Sequence, residues 1–138
     1  MKSAYELSHV KSVSAYAVTM PSGDGVEIVG KIVANWSDNP DGSVCTCTVS
    51  VWSGPLAGLP KATDRAGGYG YCKLSAALCH AIRRGMDAAK SDPYVTDAQR
   101  AELAEINPPT FDGCGMSEHE SAAGGWFASL GYGLIQIV

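Results

Sequence analysis

The sequence predicts an α+β domain in which an antiparallel sheet of three to four strands, a β-meander, carries helices on one face, in the order βββαααβ. Two observations lead to this. The first half holds three runs rich in Val, Ile, Thr and aromatic residues, separated by Gly, Pro, Asn and Asp clusters. From about Tyr71 the period changes to that of an amphipathic helix, and the chain closes on the apolar run Leu134-Ile135-Gln136-Ile137-Val138. A length of 138 residues, 46% apolar and 17% charged, suits one domain spanning 1–138 with its own core.

The expected strands are 10–20, 26–36 and 43–52. The third alternates most clearly: Cys45, Cys47, Val49 and Val51 fall on one face and Thr46, Thr48, Ser50 and Trp52 on the other, the pattern of a half-buried strand. Pro21-Ser22-Gly23-Asp24-Gly25 and Ser37-Asp38-Asn39-Pro40-Asp41-Gly42 supply the turns. Residues 53–70 hold Gly54, Gly58, Gly67, Gly68 and Gly70 without periodicity, and read as a long surface loop. Then Leu74, Ala77, Leu78, Ala81, Ile82, Gly85 and Ala89 align on one helical face, with Lys73, His80, Arg83, Arg84, Asp87 and Lys90 on the other. Thr96 with Gln99 forms a capping box for a helix over 97–105 that Asn107-Pro108-Pro109 ends. Ser117 with Glu120 forms a second box, for a helix through Leu130 that Gly131 terminates in the left-handed conformation. Residues 10–20 or 132–138 would offer the edge strand through which two copies pair if the protein is a homodimer rather than a monomer, and the strand order is not fixed by the sequence pattern.

The net charge of −4 excludes the bulk nucleic-acid affinity of a strongly basic protein. The charge is uneven, however. Positions 61–90 hold six cations (Lys61, Arg65, Lys73, Arg83, Arg84, Lys90) against Asp64 and Asp87, a local +4, and the remainder carries −8. No apolar run is long enough to cross a bilayer, and the N-terminal residues lack the apolar stretch of a signal peptide, so a cytoplasmic protein without membrane contact is expected. Five cysteines without a regular framework read as reduced thiols.

The candidate binding residues are Lys61, Arg65, Gly68, Tyr69, Gly70, Tyr71, Lys73, Arg83, Arg84 and Trp52. Gly67-Gly68-Tyr69-Gly70 before a helix start would let the backbone approach an anion, although the spacing is not that of a P-loop. Tyrosine rings beside Lys61, Arg65 and Lys73 are also the mixture that single-stranded nucleic acid uses. The competing reading is structural, with the glycines shaping a turn and the tyrosines covering the core edge. Trp52, on the wetter face of its strand, is a candidate interface anchor, whereas Trp36 and Trp126 read as structural.

Cys45, Cys47, Cys72, Cys79, His80, Cys114 and His119 are the possible metal ligands, but none has zinc-finger spacing, and neither a metal nor another cofactor is expected. Cys45 and Cys47 read as small core hydrophobes. Cys114 and His119 are the one local thiol and imidazole pairing a small thiol enzyme would use; the plainer reading is a Gly-flanked turn with an exposed His.

At Gly68-Tyr69-Gly70-Tyr71-Cys72-Lys73-Leu74-Ser75-Ala76-Ala77-Leu78 the chain resembles small accessory proteins of phages, prophages and other mobile elements, over about twenty residues. In that group an Asp commonly precedes the Lys, where this chain has Cys72. The resemblance implies an accessory setting in which small acidic inhibitors of host defence systems, CRISPR complexes among them, are frequent. The expected function is therefore a non-enzymatic protein-binding accessory protein, an anti-defence inhibitor of a host complex, with acidic residues such as Asp38, Asp41, Asp97, Glu102 and Glu105 mimicking phosphate. The alternatives are a nucleic-acid or phosphorylated-ligand binder using the 61–90 surface, and a thiol enzyme at Cys114 and His119.

Overall fold

The computed structural model describes residues 12–39, 42–67, 73–110 and 122–138. Five strands form one antiparallel sheet: β1 (Ser12–Ser22), β2 (Gly25–Asn39), β3 (Gly42–Val51), β4 (Ala62–Gly67) and β5 (Gly133–Gln136). Three helices, α1 (Lys73–Ala89), α2 (Asp97–Ala104) and α3 (Ala122–Ser129), lie between β4 and β5 in the chain. The spatial order is β4-β3-β2-β1-β5, so the meander runs through four strands and the last strand returns to β1.

The strand count of five corrects the expected three to four, and the source of the difference is the supposed loop at 53–70. Ala62–Gly67 has neither β-branched runs nor apolar alternation; it is a strand because its backbone pairs with β3 from Val49↔Ala62 to Val44↔Gly67 and α1 lies against it. Nor is the preceding segment a surface loop. Leu56 and Leu59 are buried in the core, in short turns closed by Ala57 N–H to Gly54 O at 3.0 Å and Leu59 N–H to Leu56 O at 2.9 Å. Of the two segments expected to offer an edge strand, 132–138 does and 10–20 does not. Residues 12–22 are internal, between β2 and β5, and the edge strands are β4 and β5.

Other expectations match the structure. Cys45, Cys47, Val49 and Val51 are buried while Thr46, Thr48 and Ser50 are half-buried. Leu74, Ala77, Leu78, Ala81, Ile82, Gly85 and Ala89 form the buried stripe of α1. Strand and helix come close because the residues between them are small: Ala34 pairs with Cys47, and the Cys47 thiol donates to Leu74 O at 3.7 Å. Gly85 belongs to the same close approach, since a Cβ there would stand 3.0 Å from Leu59 Cδ1 and 3.1 Å from Pro60 O. At α2, Thr96 Oγ1 accepts from Gln99 N–H at 3.1 Å and Gln99 Oε1 accepts from Thr96 N–H at 3.0 Å, the complete capping box. The second box, Ser117 with Glu120, lies outside the described residues. Among the described residues no helix is long and apolar enough to cross a membrane.

The C-terminal end of α3 fixes the last strand. Gly131 has φ +89°, Gly131 N–H bonds Ala128 O at 3.0 Å and Tyr132 N–H bonds Phe127 O at 3.0 Å, a Schellman stop. The rings of Phe127 and Tyr132 meet edge-on at 6.1 Å. Tyr132 is buried, and its hydroxyl accepts from Leu56 N–H and donates to Ser53 O, both at 2.8 Å. Gly54, at φ +81°, passes beneath it, where a Cβ would come within 2.6 Å of the hydroxyl.

Tyr132→Phe removes the partner of two backbone groups. The expected loss is about 2 kcal/mol of unfolding free energy with an unchanged denaturant slope, measured by urea titration. Burial also pushes the phenols of Tyr132 and Tyr16 above their ordinary value of 10.0. Because the neutral form is the one the fold favours, their contribution is fully present below pH 10 and is lost as pH rises toward the folded-state values. An alkaline decline in stability that is shallower in Tyr132→Phe is the expected signature in a pH series of melts.

Candidate functional site

The cations of the 61–90 segment do not form one surface, and the strand character of β4 is the reason. Along β4, Ala62 is buried, Asp64 and Ala66 are half-buried, and Thr63, Arg65 and Gly67 are exposed. Asp64 and Ala66 thus share the face that α1 covers, while Arg65 belongs to the opposite face with its partner Thr46. Arg84 reaches the outer edge of β4, where it meets Asp64 at 3.9 Å and Thr63 O at 3.5 Å. One turn earlier His80 Nδ1 stands 3.4 Å from Arg65 O. Each contact is long and contributes little, but together they place α1 side chains over the carbonyls that an edge strand otherwise presents.

Arg83 takes another direction and donates to Pro109 O at 3.1 Å, on the far side of the helix. Arg83 and Arg84, adjacent in sequence, therefore diverge. Lys61 is exposed just before β4, and Lys73 is half-buried at the start of α1, near enough to Cys45 to influence its thiol. Gly68, Tyr69, Gly70 and Tyr71, the central part of the expected anion or nucleic-acid site, lie outside the described residues.

Trp52 stands where its strand position predicts. Its N–H donates to Val29 O at 2.8 Å, so pairing with β2 continues past β3, and the indole joins Thr46, Thr48 and Ser50 on the face away from α1. It is 58% exposed. A bulge at Val18/Thr19 turns Val29 into the core and leaves Ile28, paired with Thr19, on the same outer face at 60% exposure. Val13 and Ile135 are also exposed on that face, and Thr48 and Thr63 join hydroxyls across it at 2.8 Å. No described helix packs there. Trp36 and Trp126 are only partly exposed and pack against the core; the Trp126 indole N–H donates to Asn107 O at 2.7 Å.

The described thiols are interior groups. Cys45, Cys47 and Cys79 are buried and in no disulfide, with Cys45 Sγ and Cys47 Sγ 3.9 Å apart. The hydrogen bond with Cys45 and burial raise the Cys47 thiol and hold it protonated. Cys45 is lowered by its hydrogen bond with Cys47, against burial and with help from Lys73, so it is the member of the pair that ionises first. Among the described residues no group of three or more His, Cys, Asp or Glu side chains is arranged to hold a metal ion. Cys72, Cys114 and His119 lie outside those residues.

One feature escapes sequence reasoning altogether: a groove of about 560 Å³ between α1 and α2, lined by Arg83, Met86, Lys90, Arg100, Leu103 and Ile106 among others. Its residues are spread over 83–108, and they meet because the turn after α1 brings α2 back to its end, where Arg100 reaches Ala89 O. No protein family, curated protein or solved structure matches this chain.

Burial of the three thiols predicts their chemistry. In native protein Cys45, Cys47 and Cys79 are expected to react with iodoacetamide about a thousandfold or more slowly than in unfolded protein, because labelling requires opening of the core. Peptide mapping by mass spectrometry across a urea titration checks this, and labelling should rise with the unfolding transition.

Proposed function

We propose that this protein is a non-enzymatic protein-binding module whose interface is the sheet face away from α1, anchored by Trp52. The observation that carries the reading is the exposed indole on a strand-borne surface. Tryptophan is the residue type most often responsible for binding energy at protein interfaces, and it is most effective where the backbone beneath it is already ordered. Here the indole is seated on a hydrogen-bonded strand pair, with Ile28 exposed on the same face and hydroxyl-bearing residues of β3 to supply polar contacts. The partner is a protein. A host defence complex, with this chain as its inhibitor, is the finer proposal, and it draws on the short resemblance at 68–78 and on the acidic remainder of the chain. The nucleic-acid alternative needs Arg83 and Arg84 to act together, and their divergence favours the protein partner.

The test uses tagged full-length protein in nuclease-treated bacterial lysate, with Trp52→Ala and Tyr94→Ala as paired variants. Tyr94 is 93% exposed but lies between α1 and α2, off the sheet face. Wild type and Tyr94→Ala are expected to capture the same stoichiometric partner, and Trp52→Ala to lose it with an affinity cost of about 2 kcal/mol or more when the purified pair is titrated. Capture unaffected by Trp52→Ala would overturn the assignment, as would capture that disappears with nuclease.

A further inference from the structure

The groove between α1 and α2 has a composition that selects a ligand. Its floor is apolar, built from Met86, Leu103 and Ile106, with Ala89 buried behind them. Its rim carries three cations, Arg83, Lys90 and Arg100, against the single carboxylate of Asp87. Asp87 is engaged by Lys90 at 3.4 Å, an exposed pair that largely cancels itself. The two guanidiniums are left. Among the described residues neither is paired with a carboxylate, and both are held by backbone carbonyls: Arg83 by Pro109 O at 3.1 Å, Arg100 by Val95 O at 3.1 Å and Ala89 O at 3.4 Å. A guanidinium has five N–H donors, so these bonds orient each fork without exhausting it.

The walls are also fixed before any ligand arrives. The Trp126 indole ties Asn107 O from one side and Arg83 ties Pro109 O from the other, which holds the 106–109 segment against the helices. Arg100 joins the C-terminal end of α1 to the start of α2 through the Ala89 and Val95 carbonyls. A volume of about 560 Å³ falls within the range of small-molecule clefts. A hydrophobic floor under two oriented guanidiniums rewards a molecule with one anionic head and an apolar body, because such a ligand places its carboxylate on a planar fork while its hydrocarbon leaves water.

We propose that the α1–α2 groove is a binding site for a small organic carboxylate with an apolar body, the chemistry of a medium-chain fatty acid or an aromatic acid. Arg83 and Arg100 receive the carboxylate and Met86, Leu103 and Ile106 receive the body. The site involves no residue of the sheet face and stands independently of the protein-binding reading.

Calorimetric titration of the full-length protein with octanoate tests it, beside octanol and octylamine as probes of equal chain length without the anion. Saturable octanoate binding, at least about tenfold tighter than that of either control, is expected, with backbone NMR shifts confined to residues 83–90 and 100–108. Arg83→Gln should weaken it about tenfold. Ala104→Glu adds a negative charge at an exposed wall position without touching the core and should abolish it while leaving the fold, read by circular dichroism, unchanged. Absence of saturable octanoate binding up to about 1 mM would overturn the proposal. So would equal binding of octanoate and octanol, or binding indifferent to Ala104→Glu.

Discussion

Much of this structure depends on the hydroxyl of Tyr132. It sits inside the protein with one donor and one acceptor direction to satisfy, and both are used on the backbone around Gly54, through Leu56 N–H and Ser53 O. Those partners lie 76 and 79 residues away in sequence, so the bond pair fastens the crossing from β3 to β4 onto the C-terminal segment. Several features follow from that anchor. Leu56 and Leu59 are pulled into the core, and Leu59 meets α1 at Gly85. On the other side, the Schellman turn that delivers Tyr132 also sets β5 alongside β1, with Gly133 facing Thr19. A buried aromatic with a satisfied polar tip is stable only when both its ring and its hydroxyl find partners, and here one residue joins three parts of the chain.

The second constraint is the small size of the side chains between β3 and α1. Ala34, Cys45 and Cys47 from the sheet, with Ala77 and Ala81 from the helix, are all fully buried. Close approach brings a thiol within reach of the helix backbone and leaves the thiols no route to solvent, which is why cysteines that look chemically versatile in sequence act as compact apolar filler. In β3 and β4 it also spends the apolar residues on one side. The opposite face is left with Thr46, Thr48, Ser50 and Thr63, and with an indole that nothing described covers. The exposure of Trp52 is thus a consequence of the alternation that buries Cys45 and Val51.

That alternation was legible in the sequence, as were the buried stripe of α1, the Thr96 box and the Gly131 stop, because each is a local pattern with a local physical cause. What could not be read depended on contacts between distant segments. Ala-Thr-Asp-Arg-Ala-Gly carries no strand signal, and β4 exists through its pairing with β3 and its cover by α1. Leu56 and Leu59, two leucines among glycines and prolines, gave no hint that Tyr132 would draw their segment inward. The strand order was also not legible, because nothing in a C-terminal run of five residues says which strand it will join. The exposure of Trp52 was legible from strand parity, whereas the groove lined by Arg83, Arg100 and Ile106 depends on how the chain turns between α1 and α2.

The local charge of +4 over 61–90 illustrates how a sequence surplus becomes distributed once the chain folds. A helix separates neighbours by about 100°, so two consecutive arginines on α1 cannot serve one surface unless that surface wraps the helix. Arg84 turns to the outer edge of β4, where with His80 it occupies carbonyls that would otherwise be open to pairing. Arg83 turns to the 106–109 segment and the α2 groove. The two sheet edges consequently differ: β4 is shielded by polar side chains of α1, while β5 carries an uncharged stretch with Ile135 exposed. Arg83 and Arg84, which read in one dimension as part of one cluster, thus face different parts of the structure, each through one or two directed bonds rather than through a summed field.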